Sequence, residues 1–401
     1  MRCPVLCFGT SGWVCRWFLG RQFTEENSVP PDSPVMLISG CLNRDVWALV
    51  LSFLNHACRL NMRLVGSLFC DLCGGCTVYL NAQSSKNKIK FLPPNVKSIR
   101  ITENFNWLSP IVHTVAQYSL RVSSLFIDAP TPVLYRTLRL FNLETLTALG
   151  IVCRDEAFTE FPFCKGVTDL EIHFLCPLVK PDALLRASVC LSELRTLTLV
   201  CFHDVTVNLL GSSVTFERFT RLTTLDLQFP CVDLPTQTVL HFSLGLQCLR
   251  TLTVVKMNLG FTEMNATSLR SITSAIATLP LVQHVHLNLD GNRLVGIAAN
   301  HGLHLLMTGH IATVVVTLWL ANVTSSGLCG IVPRKRQNGI IPVRVSLNLL
   351  GNIIKPADLM CFLQTFPAQT LQIAESTLSA TDKADLTRAA VAGTVRFKQK
   401  F

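Results

Sequence analysis

The cysteines Cys70, Cys73 and Cys76 have the spacing most suggestive of chemistry in this 401-residue chain. A C-x-x-C pair is half of a tetrahedral zinc site, but structural zinc needs four ligands, and only His56 and Cys58 lie within range. The thiols read more simply as small apolar side chains closing a helical segment. His284 and His286 read as a surface residue and a polar contact on adjacent faces of one strand, not as a ligand pair. Asp290-Gly-Asn292 and Gly351-Asn352 would suit a phosphate or calcium loop, yet each follows a strand and reads as its turn. No G-x-x-x-x-G-K-[ST], G-x-S-x-G or H-E-x-x-H occurs. The expectation is a protein with no catalytic residue, no metal site and no cofactor.

Composition narrows the class further. With 49% apolar and 15% charged residues, the chain is too hydrophobic to be mainly disordered. The net charge of +10 is spread thinly. Runs such as Lys86-Asn-Lys88-Ile-Lys90 and Arg334-Lys-Arg336 are short and read as solvated loops, so no nucleic-acid partner is expected. The 17 cysteines follow no disulfide framework, and free thiols point to a reducing compartment. That favours the cytoplasm, with the nucleus as the alternative. Residues 1–20 resemble a signal peptide through Arg2 and a mixed apolar run, but Gly9, Gly12 and Arg16 break it. A secreted receptor ectodomain is therefore a third class, in which the sequons at Asn265 and Asn322 would matter. Residues 294–333 lack Asp, Glu, Lys and Arg, and Gly302 to Asn322 has the length of a membrane span. His301, His304 and His310 interrupt that region, and no membrane is expected.

What must position any functional surface is a repeat. Leu194-Arg-Thr-Leu-Thr-Leu199 returns as Leu222-Thr-Thr-Leu-Asp-Leu227 and Leu249-Arg-Thr-Leu-Thr-Val254. The same L-x-x-L-x-L register starts at Val96, Val122, Leu146 and Val167 upstream, and at Val282, Val315, Pro342, Ala368 and a degenerate Ala392 downstream. Starts are 21 to 33 residues apart, and the two 33-residue units are expected to carry their extra residues in loops. Alternation within each copy sends two apolar side chains inward and one residue outward. Helical periodicity between copies, at 133–141, 183–189, 268–279 and 356–366, places helices on the opposite side. One such unit cannot bury its own apolar face, so neighbours must stack. This pattern resembles the leucine-rich repeat family over residues 92–401. The resemblance implies an α/β solenoid, a horseshoe with a parallel sheet on its concave face and helices on its convex face.

The outward residues in order are Arg100, Phe126, Gly150, Glu171, Thr198, Asp226, Thr253, His286, Trp319, Ser346 and Gln372. Of these, Arg100, Phe126, Glu171, Asp226, His286 and Trp319 form the expected partner-binding strip. Phe126 and Trp319 stand out as large aromatics on a solvent-facing row.

Ahead of the repeats, Leu42, Val46, Leu49, Val50, Phe53 and Leu54 form an amphipathic stripe, with Asn43 and Asp45 suited to the helix start. Leu60, Leu64, Val65, Leu68 and Phe69 continue it. Leu42-Asn-Arg-Asp-Val-Trp-Ala-Leu-Val-Leu-Ser-Phe-Leu54 followed by Arg63-Leu-Val-Gly-Ser-Leu-Phe69 resembles an F-box, with Asn43 where proline is usual and Gly66 where cysteine is frequent. The resemblance implies that Leu42, Asp45, Val46, Val50, Leu51, Leu54, Leu64, Val65 and Phe69 meet a Skp-type adaptor. The expected organisation is an N-terminal segment and linker (1–36), an F-box-like helical module (37–80), a hinge (81–95) and about 11–12 repeats (96–401). The expected function is non-enzymatic: a monomeric adaptor carrying a protein substrate to a Skp-cullin-F-box-type ubiquitin ligase. The alternative is a ribonuclease-inhibitor-type scaffold whose N-terminal helices only cap the solenoid.

Overall fold

The computed structural model describes residues 77–80, 97–101, 122–128, 134, 138, 144–153, 165–175, 190–201, 216–292, 294, 297–308, 310–319, 321, 344–350, 352, 354–365, 369–374, 378–389 and 394–398. The F-box-like residues 42–69, the cysteines Cys70, Cys73 and Cys76, and the 183–189 helix expectation lie outside the described residues.

Alternating apolar residues build one parallel sheet. Its strands are β1 (Thr77–Leu80), β2 (Ser98–Ile101), β3 (Ser124–Asp128), β4 (Ala148–Cys153), β5 (Asp169–Phe174), β6 (Thr196–Cys201) and β7 (Thr224–Gln228). They continue as β8 (Val254–Asn258), β9 (His284–Asn288), β10 (Thr313–Thr317), β11 (Arg344–Asn348), β12 (Gln369–Ala374) and β13 (Thr394–Lys398). The 13 strands lie side by side in chain order. This one-dimensional order is the arrangement of a repeat solenoid, in which each unit contacts only its neighbours. β1 extends the sheet one strand upstream of the first motif, inside the range 37–80.

One side of the sheet packs inward. In β7, Leu225 and Leu227 are buried while Thr224, Asp226 and Gln228 are half-exposed, and β5 alternates the same way. Each fully buried leucine contributes about 1.5–3 kcal/mol. Helices α1 (Thr236–Leu246), α2 (Ala266–Thr278), α3 (Ile297–Thr308), α4 (Pro356–Thr365) and α5 (Ala380–Ala389) lie between strands in sequence. The 268–279 and 356–366 expectations correspond to α2 and α4. Val239, Phe242 and Leu246 of α1 and Leu269, Ile272 and Ile276 of α2 join the strands' core. Asn265 caps α2 by accepting a hydrogen bond from Ser268 N at 2.9 Å. Gly302 lets α3 approach α2 closely, since a β-carbon there would stand 2.7 Å from Thr273 Oγ1.

Strand pairing corrects the sequence register at two places. β8 pairs Lys256 with Asp226 and with His286, so the repeat runs Leu252, Val255, Met257 and starts at 252, not 249. β10 pairs Val315 with His286, so that repeat is Ile311, Val314, Val316 and starts at 311, not 315. Starts at 222, 252, 282, 311 and 342 make successive units 30, 30, 29 and 31 residues, and the 33-residue units disappear. At β11–β12 the pairing slips by two, with Val345 opposite Gln369 instead of Leu371. An even slip preserves which side chains face inward.

Turns after the strands continue the ladder. Asn292 is fully buried; its Nδ2 donates to the carbonyls of Leu259 (2.7 Å) and Leu289 (3.0 Å). Its Oδ1 accepts from Met264 N (2.9 Å), Thr262 N (3.2 Å) and Thr262 Oγ1 (3.1 Å). Asn352 repeats the motif with Leu318 O (2.5 Å) and Leu349 O (3.2 Å). These asparagines serve as turn braces. Cys153 and Cys201 end β4 and β6 as buried side chains of the core.

Candidate functional site

The open face of the sheet carries the candidate site. Its central row reads Arg100, Phe126, Gly150, Glu171, Thr198, Asp226, Lys256, His286, Val315 and Ser346, one residue per strand. Gln372 lies opposite Asn348, outside that row. Strands repeat every ~4.8 Å, so residues remote in sequence become neighbours.

Arg100, Phe126 and Glu171 meet in one cluster, completed by His173. The Arg100 guanidinium carbon lies 3.9 Å from the centroid of the Phe126 ring, a cation–π contact. Phe126 in turn stands edge-on to His173, centroids 5.5 Å apart at 78°. His173 Nε2 is 2.5 Å from Glu171 Oε1. That bond, opposed by burial and helped by the His173 and Arg100 charges, holds the Glu171 carboxyl below its ordinary range. The Phe126 ring is half-buried on the open face and leans over Gly150. His173 was missed by the sequence reading, although its place two residues after Glu171 puts both on one face.

Asp226 and His286 flank a residue the sequence reading passed over. The corrected register replaces Thr253 with the exposed Lys256; Thr253 lies before β8, its Oγ1 donating to Thr223 O at 3.1 Å. Asp226 accepts from Gln228 Nε2 at 2.6 Å. His284 and His286 share the open face, contrary to the adjacent-face expectation, because both are exposed on either side of buried Val285. Burial first, then Lys256 and His284, push the His286 imidazole pKa down, against the pull of Asp226. Beside this row, Gln228, Asn258, Asn288, Thr317 and Asn348 form a polar row, with Asn258 Nδ2 donating to Gln228 Oε1 at 3.3 Å and Thr317 Oγ1 to Asn288 Oδ1 at 2.8 Å.

Trp319 is exposed as expected, at 42%, but it lies beyond β10 and not opposite His286. Its backbone N donates to Asp290 Oδ1 at 2.7 Å, and its carbonyl accepts from Gly291 N at 2.7 Å. Phe261, 47% exposed, meets it edge-on with centroids 6.1 Å apart. Phe261 has φ 57° and Gly291 φ 68°, both left-handed. A β-carbon on Gly291 would stand 2.3 Å from the Phe261 ring, so the glycine makes room for it. No sequence pattern announced Phe261. The outcome is an aromatic rim at the carboxyl ends of β8 and β10.

Among the described residues, no group of three His, Cys, Asp or Glu could hold a metal ion. Among them, too, no helix is long and apolar enough to cross a membrane. A comparison with protein-family models finds no match to this chain, and a comparison with curated proteins finds no matching sequence.

Proposed function

We propose that this chain is a non-catalytic leucine-rich repeat adaptor whose open, concave face holds a protein partner. The observation that carries the reading is the central row of the sheet. It sets a cation–aromatic–acid cluster and a lysine–imidazole pair along one surface, with an aromatic rim past the strand ends. Side chains so varied on a sheet face suit recognition of a folded or extended chain, where a few anchors dominate the energy. The F-box-like stretch 37–80 supplies the second half of the proposal: it docks a Skp-type adaptor and so links the partner to a ubiquitin ligase. This half rests on Asp45, Val46, Leu51, Leu54, Leu64, Val65 and Phe69. A compartment with free thiols suits it, as do the free cysteines Cys190 and Cys231.

A second reading has an observation of its own. β1 lies at the end of the 37–80 range and pairs directly with β2. A segment tied to the sheet in this way suits a capping role, as in a ribonuclease-inhibitor-type scaffold. The two readings separate on purified components. In the adaptor reading, a recombinant Skp-type protein co-purifies with the chain, and Leu51→Asp abolishes this by placing a charge in an apolar contact. In the scaffold reading, Leu51→Asp lowers the melting temperature and no Skp-type protein binds at all.

A further inference from the structure

We propose that the face from β8 to β10 receives an acidic peptide segment of the partner, a carboxylate on Lys256 and His286 and a nearby apolar side chain on Phe261 and Trp319. This inference rests on the binding-protein reading and names the chemistry of what is bound. Lys256 is exposed in the middle of the row, and no ion pair reaches it among the described residues. The nearest acid on the row, Asp226, is already engaged by Gln228. His284 and His286 add two imidazoles on the adjoining strand. The centre of the face therefore offers one uncommitted cation and two titratable donors.

The shape agrees. A shallow depression of about 190 Å³ opens here, lined by Lys256, His286, Asn258, Asn288, Val315 and Thr317. That is room for one or two side chains and is smaller than the pockets that enclose cofactors, roughly 300 Å³ and upward. The aromatic rim lies past the ends of the same strands, at most about 13–16 Å from the Lys256–His286 row at ~3.3 Å rise per residue. Four or five extended residues bridge that distance. Phe261 keeps a left-handed backbone, which is costly for a bulky residue, and its ring still stays half-exposed against Trp319. A nucleic acid is disfavoured because phosphate tracking needs several cations, whereas Lys256 is the one Lys or Arg in strands β7 to β10, with Asp226 opposite it.

Protonation of His286 should tune the contact. The groups facing it are Lys256 on β8, Asp226 on β7 and His284 on its own strand, while β10 presents Thr313, Val315 and Thr317 without charge. An arriving carboxylate favours the imidazolium, so binding takes up a proton and tightens as pH falls.

The test pans a displayed random-peptide library on the full chain and measures the recovered peptides by fluorescence anisotropy. Recovered sequences should place Asp or Glu within a few residues of Phe, Leu or Ile. Lys256→Gln should weaken them by about tenfold or more without moving the melting temperature, and Glu→Gln in the peptide should then add nothing further. His286→Gln should remove the tightening between about pH 7.5 and 5.5. The inference is overturned by recovery of basic or charge-free peptides, by absence of enrichment, or by indifference to Lys256→Gln. A single-stranded oligonucleotide that binds through Lys256 more tightly than any peptide would overturn it as well. The adaptor reading stands or falls separately, on the Leu51→Asp co-purification.

Discussion

Phe126 lies across Gly150: a β-carbon on Gly150 would stand 2.2 Å from Phe126 Cδ2. The glycine is there because the neighbouring strand's ring occupies the space, with Arg100 above it and His173 at its edge. Gly150→Val should force the ring off this seat and cost about 1–3 kcal/mol by overpacking. The double variant with Phe126→Ala should recover part of that loss, because the clash partner is gone. Chemical denaturation of the four proteins in the cycle checks this; strict additivity would contradict the contact.

Acid should weaken the same cluster. The Glu171 carboxyl is held below its ordinary range by His173 and Arg100, so the folded state resists protonation that the unfolded chain accepts. Its stabilising contribution is full above the ordinary glutamate range and is lost as pH falls through the lowered folded value. The urea midpoint of the wild type should therefore exceed that of Glu171→Gln at neutral pH, and the gap should close on acidification. A gap independent of pH would contradict this account.

Asn292 should matter more to stability than its turn position suggests. Its amide answers five backbone and hydroxyl groups with no access to water. Asn292→Ala would strand them and should cost about 2–4 kcal/mol. Asn258→Ala, on the half-exposed polar row, should cost less than about 1 kcal/mol. Thermal unfolding of the two variants, side by side, measures the difference.

Trp319 should separate binding from folding. It is exposed at the rim and packs chiefly on Phe261. Trp319→Ala should weaken partner binding by ~2 kcal/mol if the rim is an anchor, with little change in melting temperature. A large fall in melting temperature with unchanged affinity would mark it as a structural residue.

Much of the fold was legible because L-x-x-L-x-L encodes both the strand and its inward face, as Leu194, Leu197 and Leu199 show. The register failed where a second solution fitted the same letters. Leu249, Leu252 and Val254 satisfy the motif, yet Leu252, Val255 and Met257 are the set that aligns with β7 and β9. That shift of three swaps the faces, moving Val254 outward and exposing Lys256. At Val315 the shift of four preserved parity, so Trp319 stayed exposed while leaving the strand. The signal that would have fixed both is the polar residue between two apolar ones: Met257-Asn258-Leu259, Leu287-Asn288-Leu289, Val316-Thr317-Leu318 and Leu347-Asn348-Leu349. The Phe126–His173 and Phe261–Trp319 contacts depend on rotamers and turn conformations that periodicity does not encode.

The central claim is that the partner lies on the open sheet face, touching residues one unit apart. Site-specific photocrosslinking in the protein's own cells tests it most directly, with the photoreactive side chain placed singly at Thr198, Val315 or Ser346 and, as controls, at Leu240 or Leu244 on α1. The account predicts that the three sheet positions capture the same protein and that the α1 positions do not. Capture of that protein only from α1, with none from the sheet, would contradict it.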